Sequence, residues 1–583
     1  MIDALQRMLD ALTGFLAENP LVGAWYTTVV RFVFPLLALM ILVGAIRSLW
    51  KVKHPDEVWG YLGMANGVRL PLTHWENIIG RAPSCDVQIE YPSVSRQHAA
   101  LIREDDGSWT VYDLGSKGGV KVNDLPVDEY AVVEDGDTVS FGGIPTMLVP
   151  ISVEEKRRQM AERRAEGRPA GMWGSLVLLT LFQVLTAVQL IIAAGDEATV
   201  TIPLTFFVFT LICWGYFIVM RSFRRIGFEM ETIAFFLCTL SLAVTGSTVP
   251  DEMPKQLVAI IMGLVLFLVL GFFLRDLTRA QKVRWFMGAA AVGMLVITLL
   301  IGSSEGGAKA WIRLGGLSLQ PSELAKICYI FAGAATLDRL FNKRNLWMFI
   351  GLTGICGACL ALQNDFGTAL VFFVTFLVIA YLRSGDFATL GLICAGCFAG
   401  GMVLLTVKSH VAARFSSWGH IWEDVYGAGF QQTHTLTAAA SGGMIGVGAG
   451  EGWLSGLAAA DTDIVFGMLC EEWGLVIAVL SILCIITLAV FAVRACRAGR
   501  SSFYTIAACA ATSLLVFQTC LNVFGAVDIL PFTGVTLPFV SNGGSSMLSA
   551  WGMLAFLKAT DTRQNASFAV KLPSRRELRG EVD

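Results

Sequence analysis

The sequence predicts a polytopic α-helical membrane protein of about thirteen spans with one inserted all-β domain. Three observations predict it. Of its 583 residues 55% are hydrophobic and 15% charged, with mean hydropathy +0.63, whereas soluble domains carry about 25% charged residues. Apolar stretches long enough to cross a bilayer recur along most of the chain. One block, 54–152, breaks that pattern with mixed polar sequence, alternating apolar positions and turn signals. The 59 glycines suit close packing of helices in lipid.

In chain order, residues 1–20 lack a basic n-region and carry Asp3, Asp10 and Glu18, so no cleavable signal peptide is expected. Ile2, Leu5, Leu9, Leu12 and Leu16 recur at helical spacing, which suits a helix lying on the membrane surface. Residues 1–53 thus comprise this piece and a first span near 24–49. In 54–152, Asn66-Gly67 and Asp106-Gly107 read as hairpin turns. Cys85–Ile89, Trp109–Tyr112 and Thr138–Phe141 read as half-buried strands. The linker 153–170 is basic, without an apolar stripe, and reads as a solvated helix at the cytoplasmic membrane surface. Two further spans fill 171–227, near 173–194 and 200–220. Residues 228–560 hold ten more, near 228–246, 256–274, 285–303, 327–340, 346–362, 368–382, 387–406, 473–493, 503–527 and 545–558, before a tail at 561–583.

Sidedness follows from the basic clusters. Arg221/Arg224/Arg225, Arg275/Arg279/Lys282/Arg284, Lys343/Arg344, Arg494/Arg497/Arg500 and Arg575/Arg576/Arg579 all fall on one side, which marks the cytoplasm. The β-domain and C-terminus are then inside, the N-terminus is outside, and the segments 303–326, 407–472 and 528–544 lie outside. Twelve of the thirteen cysteines sit in or beside apolar spans. The pairs Cys356/Cys359 and Cys394/Cys397 lie within helices and lack an acid or His to complete a tetrahedral site. They read as small hydrophobes, so neither metal nor disulfide is expected.

The polar block resembles a forkhead-associated (FHA) domain over nearly all of 57–151. The matching residues are Ile79-Gly80-Arg81, Ser95-Arg96-Gln97-His98, Asp113 to Gly119, Val122-Asn123 and Asp135-Gly136-Asp137. The resemblance implies a β-sandwich whose loops bind phosphothreonine. A phosphate needs a guanidinium fork, a hydroxyl and loop amides. Arg81 and Ser95 would grip it, and His98 would brace the loop. Gly118 stands where the family usually has Asn, and Lys117 compensates electrostatically. The alternative is a sandwich that has lost phosphopeptide binding and serves as a protein contact.

Asp365, in Gln363-Asn364-Asp365-Phe366-Gly367-Thr368, is the only charged residue between Arg344 and Arg383. Such a carboxylate at the outer mouth of a bundle has two readings: a functional acid or a cap on the helix that follows. Lys309, Arg313 and Lys326 depart from the positive-inside trend on the same face, as do Lys408 and Arg414. Cations there suit a lipid-linked phosphate; the bland reading is headgroup contact for Lys408 and a helix-start cap for Glu323 with Lys326. Glu471 and Glu472 read first as helix-start acids, the alternative being an acid that assists catalysis or binds a metal. Gly442 to Gly450 lacks a following Lys-Ser or Lys-Thr, so a nucleotide loop is not expected.

These outer segments resemble the SEDS family (FtsW, RodA and SpoVE type) in four ordered blocks. They are Trp311 to Gly316 with Gln320 to Lys326; Asn364 to Ala369; Gln431-Gln432, Gly442 to Gly450, Thr462-Asp463 and Glu471 to Gly474; and Leu530 to Gly534 with Leu537 to Ser546. The resemblance covers about 228–560 and implies a ten-helix bundle, with three spans and the FHA domain added before it. It further implies an inverting peptidoglycan glycosyltransferase that polymerises lipid II at the outer face of a bacterial plasma membrane. Asp365 would be the general base. Lys309, Arg313, Glu323, Lys326, Gln363 and Ser545 would bind substrate. The resemblance fixes no cofactor, and either outer cations or a divalent ion (Mg or Mn) would neutralise the pyrophosphate. Expected partners are membrane lipids, a class B penicillin-binding transpeptidase, and a phosphothreonine protein or Ser/Thr kinase; no nucleic acid is expected. Ala458-Ala459-Ala460-Asp461 and Asn542 depart from the family pattern near the expected groove. Two rival readings are a lipid II flippase, which calls for charges through mid-span rather than at the outer ends, and an FHA-regulated scaffold for the transpeptidase.

Overall fold

The structure, a computed structural model, describes residues 2–567 apart from 52–57, 84, 105–106, 167–171, 306, 315–316, 338–342, 385–386, 408–411, 413–414, 416, 497–500, 562 and 564–565. Helices α1 (Ile2–Glu18) and α2 (Pro20–Lys51) lead into an eleven-stranded domain, then α3 (Val153–Glu166), α4 (Met172–Ala194) and α5 (Thr201–Ser222). There follow α6 (Glu229–Thr248), α7 (Met253–Phe273), α8 (Leu277–Ile301), α9 (Pro321–Thr336), α10 (Lys343–Leu362), α11 (Phe366–Ser384) and α12 (Phe387–Val407). After α13 (Phe430–Gly442), a π-helical turn Leu469–Trp473 opens α14 (Gly474–Cys496), and α15 (Ser502–Ala526) and α16 (Gly544–Ala559) complete the bundle. Among the described residues nine helical segments are long and apolar enough to cross a membrane, and the apolar parts of α11 and α12 are shorter.

Each expected span has its helix, with three starts earlier by six or more residues; the first is α8, which begins at Leu277 and not at 285. Helix α9 begins at Pro321, six residues before the expected start. Gln320 is extended and Pro321 takes the first helical position, where its missing N–H costs nothing. Glu323 and Lys326 therefore belong to the first turns of a buried helix and not to an outer loop. The span expected at 473 instead starts at Val465. The outer segment 303–319 adds a three-stranded sheet, β12 (Ser303–Glu305), β13 (Ala308–Leu314) and β14 (Leu317–Leu319), in order β12-β13-β14.

The inserted domain is a sandwich. Its strands are β1 (Gly60–Met64), β2 (Arg69–Leu72), β3 (Glu76–Gly80), β4 (Val87–Gln88), β5 (Ala99–Arg103), β6 (Trp109–Asp113), β7 (Val120–Val122), β8 (Leu125–Pro126), β9 (Tyr130–Val133), β10 (Thr138–Phe141) and β11 (Ile144–Val149). One sheet has order β2-β1-β11-β10-β7-β8, the other β4-β3-β5-β6-β9. Leu62, Ile79, Leu101, Val111, Val139, Phe141 and Leu148 alternate inward to form its core. Ser502 Oγ donates to Glu76 Oε2 at 2.9 Å, which seats the sandwich on the start of α15.

The added helices grip the bundle. Tyr26 Oη donates to Leu185 O at 2.9 Å between α2 and α4. Trp473 stacks on Phe182 (5.6 Å, 18°) and meets Phe34 at 4.7 Å. At the opposite end, buried charges bind distant parts of the chain. Arg563 donates to both oxygens of Glu229 at 3.1 Å and pairs with Asp561 at 2.6 Å. Lys558 pairs with Glu231 at 3.1 Å. Ser48 of α2 donates to Glu229, and Tyr216 of α5 to Glu231. Charges this buried persist only when paired and hydrogen-bonded.

Candidate active site

The turn between α10 and α11 aims Asp365. Asn364 adopts φ +59°, a left-handed conformation that Asn tolerates. The Asp365 N–H donates to Leu360 O at 3.0 Å, and Asp365 Oδ1 accepts the Thr368 N–H at 3.1 Å. Asp365 therefore caps α11. Its other oxygen stays available, facing Gln320 Nε2 at 3.5 Å. Gly367 follows because a Cβ there would meet Val535 Cγ2 at 2.9 Å and Thr533 O at 3.2 Å, so the 533–535 segment closes on the turn. Burial pushes the Asp365 carboxyl above its usual value of 3.8; the Thr368 hydrogen bonds and Lys326 oppose the shift, and Glu323 adds to it.

Around Asp365 the start of α9 meets α15 and α16. The Gln320 N–H donates to Ser545 Oγ at 3.0 Å. Lys326 Nζ donates to Glu323 Oε1 at 2.6 Å and to Gln518 Oε1 at 3.2 Å, with Lys326 1% exposed. Gln518 Nε2 donates to the carbonyl and hydroxyl of Thr536, each at 3.1 Å, and Thr536 meets Ser546 Oγ at 2.7 Å. Glu323 Oε2 is buried without a hydrogen-bond partner. Lys326 is thus not the open phosphate-binding cation its outer position implied. A buried ammonium needs its carboxylate, and the pair instead sets the field around Asp365.

The remaining expected ligands spread out. Lys309 Nζ donates to Leu299 O at 2.6 Å, at the C-terminal end of α8, and its N–H donates to Gln363 O at 2.8 Å. Arg313 is exposed on β13. Gln363 is fully buried and donates Nε2 to Leu295 O at 2.8 Å, so its side chain turns to α8 and away from Asp365. Lys408 and Arg414 lie outside the described residues. Glu471 accepts the N–H groups of Trp453 (3.1 Å) and Leu454 (3.0 Å), while Glu472 accepts Gly450 N–H (3.0 Å) and Ser247 Oγ–H (2.8 Å). These acids fasten the glycine-rich loop to the bundle. The departures at Asp461 and Asn542 meet each other: Asn542 donates Nδ2 to Asp461 Oδ2 at 2.7 Å and its N–H to Asp461 O at 2.8 Å.

In the sandwich, Arg81, Ser95 and Lys117 come together on the loops. The Arg81 N–H donates to Ser95 O at 3.0 Å and the Lys117 N–H to Ser95 Oγ at 3.1 Å, with the side chains of Arg81 and Lys117 exposed. His98 is fully buried. Its Nδ1 accepts the Ser95 N–H at 2.9 Å, which leaves Nε2–H to donate to Gly119 O at 3.1 Å. The bracing expected of His98 is thus explicit. Gly118 has a steric reason: a Cβ there would meet Gly142 Cα at 2.6 Å and Ser93 O at 2.9 Å. Gly118→Asn should therefore push these loops apart and destabilise the domain by roughly 1–3 kcal/mol. Earlier thermal unfolding or faster proteolysis of 58–150 in the full chain checks it.

A family model described as cell cycle protein, of FtsW, RodA and SpoVE type, matches residues 226–566. The chain belongs to this FtsW/RodA/SpoVE family. A second model, FHA domain, matches 77–142. The peptidoglycan glycosyltransferase RodA of Mycobacterium tuberculosis is 30% identical over 322 residues, covering 52% of this chain and 69% of that protein. The probable peptidoglycan glycosyltransferase FtsW of Coxiella burnetii is 31% identical over 341 residues, covering 56% of this chain and 85% of that protein. A chain from a solved peptidoglycan synthase complex is 26% identical over 58% of this chain and 98% of its own length, with TM-score 0.48.

Within the FtsW/RodA/SpoVE segment, sequence reasoning misses Gln320, Gln518 and Thr536 as site residues. Gln518 carries a signal: it is an amide within an apolar helix, and intramembrane polar groups are costly unless used. Gln320 is marked by the proline after it, which fixes where α9 starts.

Proposed function

We propose that this chain is a peptidoglycan glycosyltransferase that polymerises lipid II at the outer face of a bacterial plasma membrane, with its FHA domain reading phosphothreonine. The observation that carries the reading is Asp365: a partly buried carboxylate with one oxygen spent on capping α11 and the other turned to Gln320. The acceptor sugar's 4-hydroxyl oxygen attacks the donor's anomeric carbon, and Asp365 takes the hydroxyl proton as the new C–O bond forms. The bond to undecaprenyl pyrophosphate breaks with its electron pair. One attack from the opposite face converts an α-linked donor into a β linkage. A base of this kind contributes about 10²–10⁴-fold, and a carboxyl raised by burial is the stronger base.

Pyrophosphate leaves readily once its charge is met. Arg313 and Lys309 are the cations proposed for that role, Lys309 with one of its three donors already committed to α8. A divalent ion on the pyrophosphate would need only one or two protein carboxylates beside the substrate's own oxygens. The basic clusters support an inside C-terminus and FHA domain and an outside N-terminus. A class B penicillin-binding transpeptidase is the proposed partner for cross-linking, and a Ser/Thr kinase or its product the proposed partner of the sandwich.

Purified full-length protein with lipid II tests the reaction: glycan strands should form. Transport of lipid II across vesicles with no polymer would replace this reading with a flippase. Arg81→Ala should abolish capture of a phosphothreonine peptide by the full chain, measured by calorimetry. Unchanged affinity would leave the sandwich as a protein contact only.

A further inference from the structure

Residues 417–429 form an ordered loop that does not bury its own aromatic residues. Trp418 Nε1 donates to Ile529 O at 3.2 Å, and the Gly419 N–H is shared by both oxygens of Asp528 at 3.1 and 3.2 Å. Asp424 accepts the Ala428 N–H at 2.9 Å, and Ile421 is the one buried apolar side chain of the loop. Order thus comes from polar ties and one anchor. Trp422 (62% exposed) and Tyr426 (92%) are left outward on the stretch that follows the Phe415–Trp418 ring pair (6.3 Å). An exposed aromatic patch held this way marks a binding surface.

We propose that this patch is a stacking platform for the glycan strand leaving the active site, an inference that rests on the polymerase reading. Two observations select this occupant. Arg414 precedes Phe415, but the Trp422 and Tyr426 stretch, 417–430, contains Glu423 and Asp424 and no Lys or Arg, so anionic lipid headgroups are disfavoured there. The patch is also continuous with the site. Asp528 and Ile529, which hold Trp418, lead directly to Thr533 and Val535, which close on Gly367 two residues from Asp365. A β-linked N-acetylhexosamine polymer presents faces of C–H bonds to the electron-rich face of Trp and Tyr rings. Its hydroxyl and amide hydrogens suit the neighbouring carboxylates.

The test uses full-length protein in nanodiscs and a soluble β-1,4-linked N-acetylglucosamine tetramer as probe. The tetramer should bind by saturation-transfer NMR. The double variant Trp422→Ala/Tyr426→Ala should weaken binding roughly tenfold and shorten the glycan strands made from lipid II. Trp422→Phe/Tyr426→Phe should restore both, which separates stacking from misfolding. Equal tetramer binding by the alanine variant overturns the proposal. So does loss only of vesicle binding or only of a protein partner. Tetramer binding without any polymerisation would overturn the polymerase reading, and with it the platform's role for a strand made here, leaving a glycan-binding surface alone.

Discussion

Asp365→Asn should remove glycan synthesis while leaving the protein folded. Asn caps a helix as well as Asp does, so its side-chain oxygen still accepts the Thr368 N–H now held at 3.1 Å. Volume and turn conformation are kept. The acceptor of the sugar proton is lost, and polymerisation of lipid II should fall by about 10²–10⁴-fold with little change in thermal unfolding. A variant that polymerises at the parent rate would reduce Asp365 to a cap. The pH dependence follows from the same group. Asp365 works ionised and its carboxyl lies above 3.8, so activity should fall with decreasing pH, beginning higher than an exposed aspartate would allow.

Lys326→Met should be the most destabilising single change near the site. It leaves Glu323 buried with neither oxygen paired to a cation, where Oε2 is already without a partner. Breaking a buried pair from one side costs about 3–5 kcal/mol. Replacing both partners, Glu323→Gln with Lys326→Met, should recover most of that loss. Thermal inactivation of the single and double variants measures it, and equal loss in both would show that the pair is not the stabilising unit. In whatever fraction of Lys326→Met folds, the acid limb of activity should move to higher pH, because Lys326 holds the Asp365 carboxyl down.

Hydropathy makes the bundle legible, since the length of an apolar helix is set by the bilayer. It also makes Asp365 legible, because a charge is conspicuous in an apolar stretch. The same averaging hides α9: Ser322, Glu323 and Lys326 lower the local mean, yet all three are buried in the helix. Burial of an ion pair is a tertiary fact, and no window over one segment contains Gln518. The sandwich is legible through turn dipeptides and loop motifs, as at Asn66-Gly67, where Gly67 adopts φ +82°. The reason for Gly118 lies in its approach to Gly142 and Ser93, and neither is its neighbour in sequence.

The buried charges that join α6 to the end of the bundle also bear on how the protein is made. Glu229 and Glu231 emerge from the ribosome more than 320 residues before Lys558 and Arg563, the sequence separations being 334 for Glu229–Arg563 and 327 for Glu231–Lys558. Until α16 is inserted, α6 presents two carboxylates with no cation to meet them. Assembly of this end is therefore deferred until α16 and the residues that follow it, Asp561 and Arg563, are made. A chain that stops before Arg563 would keep the residues around Asp365 and still fail as an incomplete product, exposed to the proteases that survey nascent membrane proteins.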